Sequence, residues 1–471
     1  MRLADLAGIG GDSRVTGFAI DHRKVAPGTV FGAFRGSVFN GEDFIAAAVG
    51  AGAVAVVARP AVPVEGASHI AADEPRREFA RLAARFFEPF PETVVAVTGT
   101  NGKTSSVELT RQLWRMAGHH AASIGTLGVT TADDRTTTGL TTPDIVTFLS
   151  NMAGLAREGV THAAFEASSH GLSQYRTEGL PVHAAAFTNF TRDHLDYHET
   201  MEAYFEAKMR LFDEVVEPGG AAVIWADDPK SAEVARRAGA RGLRIVTVGR
   251  RGEALKLVGR EPTQLGQRLT IEAEGAAHKI ELPLIGAYQA ANALTAAGLV
   301  LATGGELAGT LANLGRVQGV RGRLERAVIT RAGAPVYVDY AHTPDAIEAA
   351  IEALRPHARE RLIIVFGAGG DRDVGKRAEM GAVAERLADL VLVTDDNPRS
   401  EDPVAIRRDV LAGAPGAREV PGRREAIAAA LAEAGPGDIV LLAGKGHEQG
   451  QVVGDKVLPF DDVTVARECA A

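Results

Sequence analysis

The chain contains the segment Thr93-Val-Val-Ala-Val-Thr-Gly-Thr-Asn-Gly-Lys-Thr104, in which an apolar run leads into a glycine-rich turn. Its first six residues are mostly β-branched and apolar, which predicts a strand buried on both faces. Gly99 and Gly102 permit backbone conformations that are closed to other residues, and residues 105 to 118 predict a helix. Because the N–H groups and the dipole at a helix N-terminus favour anions, the stretch predicts a phosphate-binding loop.

The loop supplies the side chains that a nucleotide polyphosphate needs. Lys103 can reach the terminal oxygens, and the Thr104 hydroxyl can ligate Mg²⁺. The spacing is the shorter Gly-x-x-Gly-Lys-Thr, since Val97 stands where the full Walker pattern has glycine. So short a match can be an ordinary turn, but the flanking strand and helix favour a phosphate site. We therefore expect nucleotide contacts from Gly99, Thr100, Asn101, Gly102, Lys103, Thr104 and Ser105.

Length and composition describe an ordinary globular enzyme. The 471 residues are 46% hydrophobic and 24% charged, and such a length predicts about three domains. No apolar run approaches the roughly 20 residues of a membrane span, and the first residues lack a signal-peptide pattern, so we expect a cytoplasmic protein. The one cysteine, Cys469, excludes an internal disulfide. A net charge of -9 without a basic stripe disfavours nucleic acid as a partner.

Three blocks differ in their patterns, and each predicts a domain. Residues 1–92 contain short apolar segments and one helical stretch, whereas residues 93–321 and 322–471 alternate strands with helices. Such alternation predicts mainly parallel sheets with helices on both faces. We therefore expect an α/β protein with an N-terminal α/β domain, a central P-loop ATPase-like parallel-sheet domain and a C-terminal Rossmann-like domain.

Polar residues follow the predicted strands at their carboxyl ends, where open α/β sheets bind ligands. They lie at residues 166–169, 189–193, 339–342, 367–373, 395–399 and 444–448. The glycine-rich turn at 367–370 is not a dinucleotide fingerprint, because its third glycine position holds Arg372. In each of two domains, the sheet edge at the carboxyl ends of the strands thus carries candidate ligand-binding residues. We expect a nucleoside triphosphate at the edge in one domain and a second substrate at the edge in the other.

Motifs along nearly the whole chain resemble those of the Mur ligases of peptidoglycan synthesis, in the same order. They occupy residues 98–105, 166–170, 189–194, 207–208, 339–345 and 444–448. Asp396-Asn397-Pro398-Arg399 resembles the motif that selects diaminopimelate. The resemblance implies an ATP-dependent ligase that adds diaminopimelate, expected to be the meso isomer, to the D-glutamate of UDP-N-acetylmuramoyl-L-alanyl-D-glutamate through an acyl phosphate.

The resemblance also implies the catalytic and metal-binding residues. The matching catalytic positions are Lys103, Glu166, His194, Lys208 and His342. Mg²⁺ would be held by Thr104, Glu166, His194 and a Lys208 that carries a CO₂-derived carbamate, so that ATP and a substrate carboxylate can meet despite their charges. Taken singly, Glu166 could be a salt-bridged residue, His194 a packed one and Lys208 a solvated charge.

The remaining substrate contacts are likewise implied by resemblance. Asn292, Arg323 and Asp339 match the adenine, ribose and phosphate side, although helix surface, cap and turn roles stay open for them. The UDP-sugar dipeptide would contact Ser37, Val38, Phe39, Thr141, Thr142, Ser168, Gln174 and Arg176. Two departures leave contacts open: His22 stands where the family often has serine, and Gln289 stands where it often has asparagine.

Diaminopimelate carries two ammonium and two carboxylate groups, so its site must supply both signs of charge. Arg372 and Arg399 suit the carboxylates, whereas Asp396 and Glu448 can accept from ammonium. Gly444 allows close backbone approach. The stretch from Asp396 through Asn397 and Pro398 to Arg399 is also a plausible turn after a strand.

Three other functions remain alternatives. A folylpolyglutamate synthase resembles this chain around the phosphate loop but lacks a leading domain, whereas residues 1–92 precede the loop strand here. A lysine-adding ligase differs mainly at residues 396–399. A regulatory nucleotide-binding protein without turnover is disfavoured, because all five predicted catalytic residues are present together.

Overall fold

The structure is a computed structural model of the chain, and it describes residues 1–9, 11–36, 39–131, 135–136, 141–263 and 266–470. The chain divides into two compact units. The first comprises Met1–Lys256 and Leu294–Thr310, and the second comprises Leu257–Ala293 and Leu311–Ala471. Mainly parallel sheets with helices in both units confirm the predicted α/β class. The predicted domain boundaries near residues 92 and 321 stay a prediction.

The N-terminal block forms a parallel four-stranded sheet with three helices. Its strands, in spatial as in chain order, are β1 Gly17–Ala19, β2 Thr29–Gly32, β3 Ala53–Ala58 and β4 Ser68–Ala71. Its helices are α1 Leu3–Ala7, α2 Ile45–Gly50 and α3 Pro75–Phe87. Helix α3 begins with a proline, which suits the first helical position, and buries a stripe from Phe79 to Ala84. The short apolar segments of this block include β2 and β3, and its one helical stretch is α3.

The phosphate-loop strand lies near the middle of the large sheet. Eight strands of that sheet belong to the first unit: β5 Thr93–Thr98, β6 Ala121–Gly125, β7 Gly128–Thr130, β8 Arg135–Thr136, β9 His162–Glu166, β10 Val182–Phe187, β11 Val216–Trp225 and β12 Arg244–Gly249. Their spatial order is β8-β7-β6-β9-β5-β10-β11-β12, and all neighbours are parallel except those involving β7. The buried apolar β5 therefore delivers its carboxyl end to the centre of a ligand-binding edge.

Helices connect these strands. They are α4 Lys103–Met116, α5 Ile145–Arg157, α6 Ser169–Ser173, α7 Leu195–His198, α8 Met201–Arg210 and α9 Ser231–Ala240. A π-helical turn, Leu211–Val215, continues α8. The helix predicted at 105–118 is thus confirmed, although it begins at Lys103.

Three strands and two helices follow: β13 Leu255–Thr263, β14 Gly266–Ala273, β15 Ala276–Leu282, α10 Ala287–Ala302 and α11 Leu307–Leu314. Strands β14 and β15 form an antiparallel hairpin. At Gly298 of α10 a Cβ atom would lie 2.7 Å from Val223 and 3.1 Å from Val248. The second half of α10 therefore packs tightly on β11 and β12.

The C-terminal block contains a six-stranded sheet with helices on both faces. Its strands are β16 Glu325–Ile329, β17 Pro335–Asp339, β18 Leu362–Phe366, β19 Leu390–Val393, β20 Arg418–Glu419 and β21 Ile439–Ala443, in the order β16-β17-β21-β18-β19-β20. Only β16 is antiparallel. The remaining elements are α12 Pro344–Leu354, α13 Lys376–Leu387, α14 Pro403–Leu411, α15 Arg423–Glu433, the hairpin β22 Gly450–Val453 and β23 Lys456–Pro459, and α16 Asp462–Ala470.

Side chains of the fully buried β18 alternate between two hydrophobic cores. Leu362, Ile364 and Phe366 enter one cluster, and Ile363 and Val365 enter the other. A continuous apolar run is what a strand covered on both faces requires. Within the part of the chain that the structure covers, no helix is long and apolar enough to span a bilayer.

Candidate active site

The loop between β5 and α4 is held by hydrogen bonds to the segment that follows β10. Asn189 accepts from two loop residues: its carbonyl oxygen from Thr100 N at 2.9 Å and its Oδ1 from Asn101 N at 2.8 Å. Gly99 has a φ of 145°, and a Cβ there would meet Thr188 Oγ1 at 1.9 Å. Glycine is therefore required at this position, and hydrogen bonds within the protein define the shape of the loop.

Lys103 lies on the loop itself. Its Nζ donates to the carbonyl oxygens of Gly99 at 2.8 Å and Thr100 at 2.7 Å. Thr104 and Ser105 begin helix α4 and are buried. A helix N-terminus, a lysine ammonium and a threonine hydroxyl thus meet in one turn, and this donor set fits a Mg²⁺-bound polyphosphate.

Lys208 reaches the same loop from helix α8. The side chain is buried, and its Nζ donates to Gly99 O at 2.8 Å and lies 4.3 Å from the ring centroid of Tyr204. Burial, together with the nearby charge of Lys103, lowers the pKa of Lys208 well below its ordinary value. The alternative of a solvated surface charge is therefore wrong.

Glu166 ends strand β9, and within the described part of the chain its carboxylate is held by hydrogen bonds from Thr126. Its Oε1 accepts from Thr126 N at 2.7 Å, and its Oε2 accepts from Thr126 Oγ1 at 3.2 Å. At Gly125 a Cβ would lie 2.2 Å from Glu166 Oε1, so the carboxylate packs against bare backbone. Thr126 was missed by the sequence analysis, although it follows a strand at the ligand edge.

His194 has a left-handed backbone, with φ 53°, at the start of helix α7. Its ring centroid lies 5.0 Å from that of His170 and 6.0 Å from that of Tyr204, and its Nε2 lies 3.5 Å from Asp193 Oδ2. Tyr204 therefore neighbours both His194 and Lys208. In the described part of the chain no group of three or more His, Cys, Asp or Glu side chains forms a metal site. The predicted metal-ligand set stays a prediction.

Most of the residues predicted to contact the dipeptide form one hydrogen-bonded cluster beside Glu166. Thr142 Oγ1 donates to Glu166 O at 2.8 Å and accepts from Ser168 N at 3.1 Å. Arg176 donates to Thr142 O at 2.7 Å and to Gln174 Oε1 at 2.7 Å. Thr141 joins through its Oγ1, which lies 3.1 Å from Thr126 Oγ1.

The predicted uridine contacts are only partly described. Ser37 and Val38 lie outside the described residues. Phe39 is 72% exposed, so its ring is open to a ligand. His22, which departs from the family pattern, stacks on Phe44 with ring centroids 4.3 Å apart.

Arg76 is a candidate substrate contact that the sequence analysis missed. Its Nη2 donates to Arg35 O at 2.9 Å, and its guanidinium lies 4.9 Å from the centroid of the Phe34 ring. Burial and the nearby charge of Arg176 lower the pKa of Arg76, and burial lowers that of Arg176. The helical pattern of α3 alone could not show that Arg76 lies near Arg176, because Arg176 belongs to a segment about one hundred residues further along the chain.

In the second unit, the residues predicted near the nucleotide are joined through Gln289. Asn292 Nδ2 donates to Gln289 Oε1 at 3.1 Å, and Gln289 Nε2 donates to Arg323 O at 3.0 Å. Gln289, the departure from the family pattern, is thus a link between the other two. The Arg323 guanidinium lies 4.8 Å from the centroid of the Tyr340 ring.

Asp339 and His342 lie in the turn after β17. The Asp339 carboxylate accepts from Leu324 N at 2.7 Å and from Ala341 N at 2.9 Å. Burial raises the pKa of Asp339 to about 6, against the opposing effect of Arg323. His342 Nδ1 lies 2.7 Å from Tyr340 O. Asp339 therefore shapes the turn, whatever it contributes to a ligand.

The predicted amino-acid site brings Asn397 and Glu448 together. Asn397 Nδ2 donates to Glu448 Oε2 at 2.8 Å. Gly444 has a φ of 111°, and a Cβ there would lie 2.7 Å from Asp396 Oδ2. The glycine thus lets the 444–448 turn approach the 396–399 segment.

The proposed amino-acid site has arginines near the surface and one arginine in the protein interior. Arg399, with φ 51°, donates through Nη1 to Gly370 O at 2.7 Å, while Arg372 is exposed. Asp396 Oδ2 lies 3.9 Å from the fully buried Arg423, which binds Asp462 through two hydrogen bonds. Asp396 therefore already has a cationic neighbour. Pro398 precedes Arg399 in the same turn and adds no donor.

Comparison with known proteins assigns the class: the chain belongs to the Mur ligase family. Residues 97–300 match the Mur ligase middle domain, and residues 322–446 match the Mur ligase, glutamate ligase domain. The predicted family resemblance is confirmed.

Individual proteins of the family are similar to this chain over nearly its whole length. The chain is 61% identical to the UDP-N-acetylmuramoyl-L-alanyl-D-glutamate--2,6-diaminopimelate ligase of Zymomonas mobilis, over 97% of this chain and 95% of that protein. It is 52% identical to the protein of the same name from Bradyrhizobium diazoefficiens, over 98% and 97% of the two chains. A solved structure of a ligase with that name has a TM-score of 0.75 and 32% identity, and covers 100% of this chain and 98% of its own.

Proposed function

We propose that the protein joins diaminopimelate to the D-glutamate of UDP-N-acetylmuramoyl-L-alanyl-D-glutamate at the expense of ATP. The observation that carries the proposal is the convergence of Lys103 and Lys208 on Gly99 O, both at 2.8 Å. Two lysines from different helices thereby meet at the end of β5, beside the cluster that holds Glu166 and Arg176. The relatives of the same length, at 61% and 52% identity, supply the substrate names.

The chemistry requires an activated carboxylate, because a carboxylate anion does not react with an amine at neutral pH. The D-glutamate γ-carboxylate attacks the γ-phosphorus of ATP, giving an acyl phosphate and ADP. The neutral amino group of diaminopimelate then attacks the acyl carbon, and inorganic phosphate leaves with the electrons of the broken C–O bond. The nitrogen loses one proton, which the departing phosphate accepts. The Lys103 ammonium group donates to phosphate oxygens in place of the loop carbonyl oxygens. The loop N–H groups orient the polyphosphate.

The metal and the carbamate belong to this proposal. Thr104, Glu166, His194 and a carbamylated Lys208 would hold Mg²⁺, which would screen the repulsion between the triphosphate and the carboxylate. The carbamate forms when the neutral amine of Lys208 attacks CO₂ and loses one proton, which turns a buried amine into an anionic oxygen ligand. The lowered pKa of Lys208 favours the neutral amine that this step needs. The burial of Lys208 and its place at the phosphate loop support this assignment.

The acceptor would be held by the 396–399 and 444–448 segments. Arg399 and Arg372 would pair with its carboxylates, and Glu448 would accept from an ammonium group. With L-lysine as the acceptor, the partly buried Arg399 would lose a charge-assisted hydrogen bond to a carboxylate, which disfavours L-lysine. Use of the meso isomer and a cytoplasmic location stay predictions.

Phosphate release by the purified protein tests the proposal. The assay contains ATP, Mg²⁺ and UDP-N-acetylmuramoyl-L-alanyl-D-glutamate, with meso-diaminopimelate, LL-diaminopimelate, L-lysine or no amino acid. We expect release that depends on diaminopimelate. Preference for lysine would contradict the acceptor assignment alone, whereas no release with any amino acid would contradict the ligase function.

A further inference from the structure

Lys445 is a fully buried cation inside the proposed amino-acid site. It follows strand β21 in the 444–448 turn, and its side chain is 0% exposed. Its Nζ donates to Asn397 Oδ1 at 3.1 Å and to Glu448 Oε2 at 3.1 Å. Since burying an ammonium group costs several kcal/mol unless it is paired and hydrogen-bonded, these two contacts determine where the lysine can lie.

The lysine also fixes the orientation of the Asn397 side chain. Asn397 Oδ1 accepts from Lys445 Nζ and from Val452 N, the latter at 2.9 Å. With its oxygen occupied by two donors, the amide must direct Nδ2 toward Glu448, and it donates to Oε2 at 2.8 Å. Two donors from this pair therefore converge on one oxygen of the Glu448 carboxylate.

The other oxygen of Glu448 remains available to a ligand. Its side chain is 31% exposed, and the hydrogen bonds from both Asn397 and Lys445 go to Oε2. A carboxylate held through one oxygen presents the second in a defined direction. This is the arrangement that recognition of an ammonium group requires.

We propose that Lys445 is a positioning residue for the acceptor amino acid, an inference that rests on the proposed ligase function. It does not touch the amino acid. It orients Asn397 and Glu448, so that Glu448 Oε1 faces the ammonium group of diaminopimelate.

Lys445→Met tests this role because it removes the ammonium group while keeping a chain of similar length. We expect the KM for diaminopimelate to rise about tenfold to a hundredfold, as expected when a charged hydrogen-bond network is lost. The KM values for ATP and the UDP-linked substrate should change by less than about twofold. An equal rise in all three KM values would reduce Lys445 to a structural residue and overturn the proposal.

A double-mutant cycle separates positioning from general stabilisation. If Lys445 acts through Glu448, then Lys445→Met made in a Glu448→Gln background should add less than about twofold to the KM for diaminopimelate. Additive effects would contradict the proposal. Arg361→Met is the matched control, because Arg361 pairs with buried Asp438 at the opposite end of strands β18 and β21, and it should leave all KM values unchanged.

Lys445→Gln keeps the test decisive if the methionine variant fails to fold. Its amide can still donate to Glu448, so we expect a KM for diaminopimelate between those of the wild type and Glu448→Gln. A wild-type value would overturn the proposal. Wild-type phosphate release that depends on diaminopimelate is measured first: without it the ligase function fails, and with it unchanged variants contradict only the role of Lys445.

Discussion

Gly99 offers one carbonyl oxygen to two lysine side chains. Lys103 approaches it from helix α4 and Lys208 from helix α8, each at 2.8 Å. Two ammonium groups on one oxygen repel each other, and this repulsion falls if either charge is removed or reversed. Both parts of the proposal would relieve this repulsion: phosphate oxygens would neutralise Lys103, and a carbamate would remove the positive charge of Lys208.

Lys208→Ala is expected to abolish phosphate release, because the substitution removes the proposed metal ligand. Added short-chain carboxylates such as acetate should restore part of the rate by supplying an oxygen ligand in its place. The control is Lys279→Ala on the exposed edge of hairpin β14–β15, which should be fully active. Full activity of Lys208→Ala would contradict the carbamate proposal.

Arg399→Ala is expected to raise the KM for diaminopimelate by about tenfold to a hundredfold, since a charge-assisted bond to a carboxylate is lost. The KM for ATP should stay within about twofold of the wild-type value. Steady-state kinetics with each substrate varied in turn measures both. Arg408→Ala, on the exposed side of α14, is the control. Parallel changes in both constants would count against the assignment.

The burial of Lys208 could have been inferred from spacing in the sequence. Lys208 lies four residues after Tyr204, which is fully buried, and therefore on the same helix face. The contacts of Glu166 could not be inferred, because Thr126 comes from a strand forty residues away and meets it only through sheet order. The proximity of Arg423 to Asp396 could not be inferred from the sequence for the same reason.

At the scale of elements, helix α3 is joined to the end of α8 by a network of charges. Buried Glu178 accepts from Arg77 of α3 at 2.8 Å, and its Oε2 lies 3.6 Å from Arg210 at the last turn of α8. Arg210 also pairs with Glu214 of the π-helical turn, at 3.1 Å. Since α8 carries Lys208, this network sets where the helix that bears the lysine ends.

Glu178→Gln is expected to destabilise the fold, because it removes the buried counter-charge of Arg77, Arg81 and Arg210. Arg77 and Arg210 keep Glu214 as a second partner, so the expected loss is about 1 to 3 kcal/mol. The shift in the urea midpoint, followed by circular dichroism, measures it. Glu233→Gln is the matched control, since Glu233 pairs with Arg236 on the surface of α9, and no measurable change is expected. Equal midpoints for both variants would contradict the network's role.

The strand with a continuous apolar run before the phosphate loop was predicted at its observed bounds, as β5 Thr93–Thr98 shows. Strand β6 was not predicted, because Ala121-Ala-Ser-Ile-Gly125 is short and poor in β-branched residues. The π-helical turn after α8 was also missed, since its residues continue a helical pattern and its geometry depends on tertiary contacts.

At the scale of the whole molecule, the C-terminal block has a core of its own. One of its two clusters lies entirely between Ala327 and Ala466, and the other draws only Ile285 among its buried members from outside. A block with its own core folds independently in most α/β proteins of this size. This supports the proposed boundary near residue 321.

A fragment of residues 322–471 is expected to fold on its own and to unfold cooperatively in urea. Its free energy of unfolding should be about 5 kcal/mol or more, within the range of ordinary domains. Near-UV and far-UV circular dichroism, neither of which needs tryptophan, follow the unfolding. Coincident transitions in the two signals would show that the fragment unfolds cooperatively. A broad unfolding transition in urea, together with binding of a hydrophobic dye to the fragment without urea, would contradict the boundary near residue 321.

The close packing of Gly298 against Val223 and Val248 has a consequence during synthesis. The first unit needs Leu294–Thr310, which the ribosome makes after Leu257–Ala293 of the second. At 5–20 residues per second, the segment from 257 to 310 takes roughly 3 to 10 s to emerge. Throughout that interval the nascent sheet exposes the valines that α10 later covers. The growing chain therefore offers chaperones a target that the finished protein no longer contains.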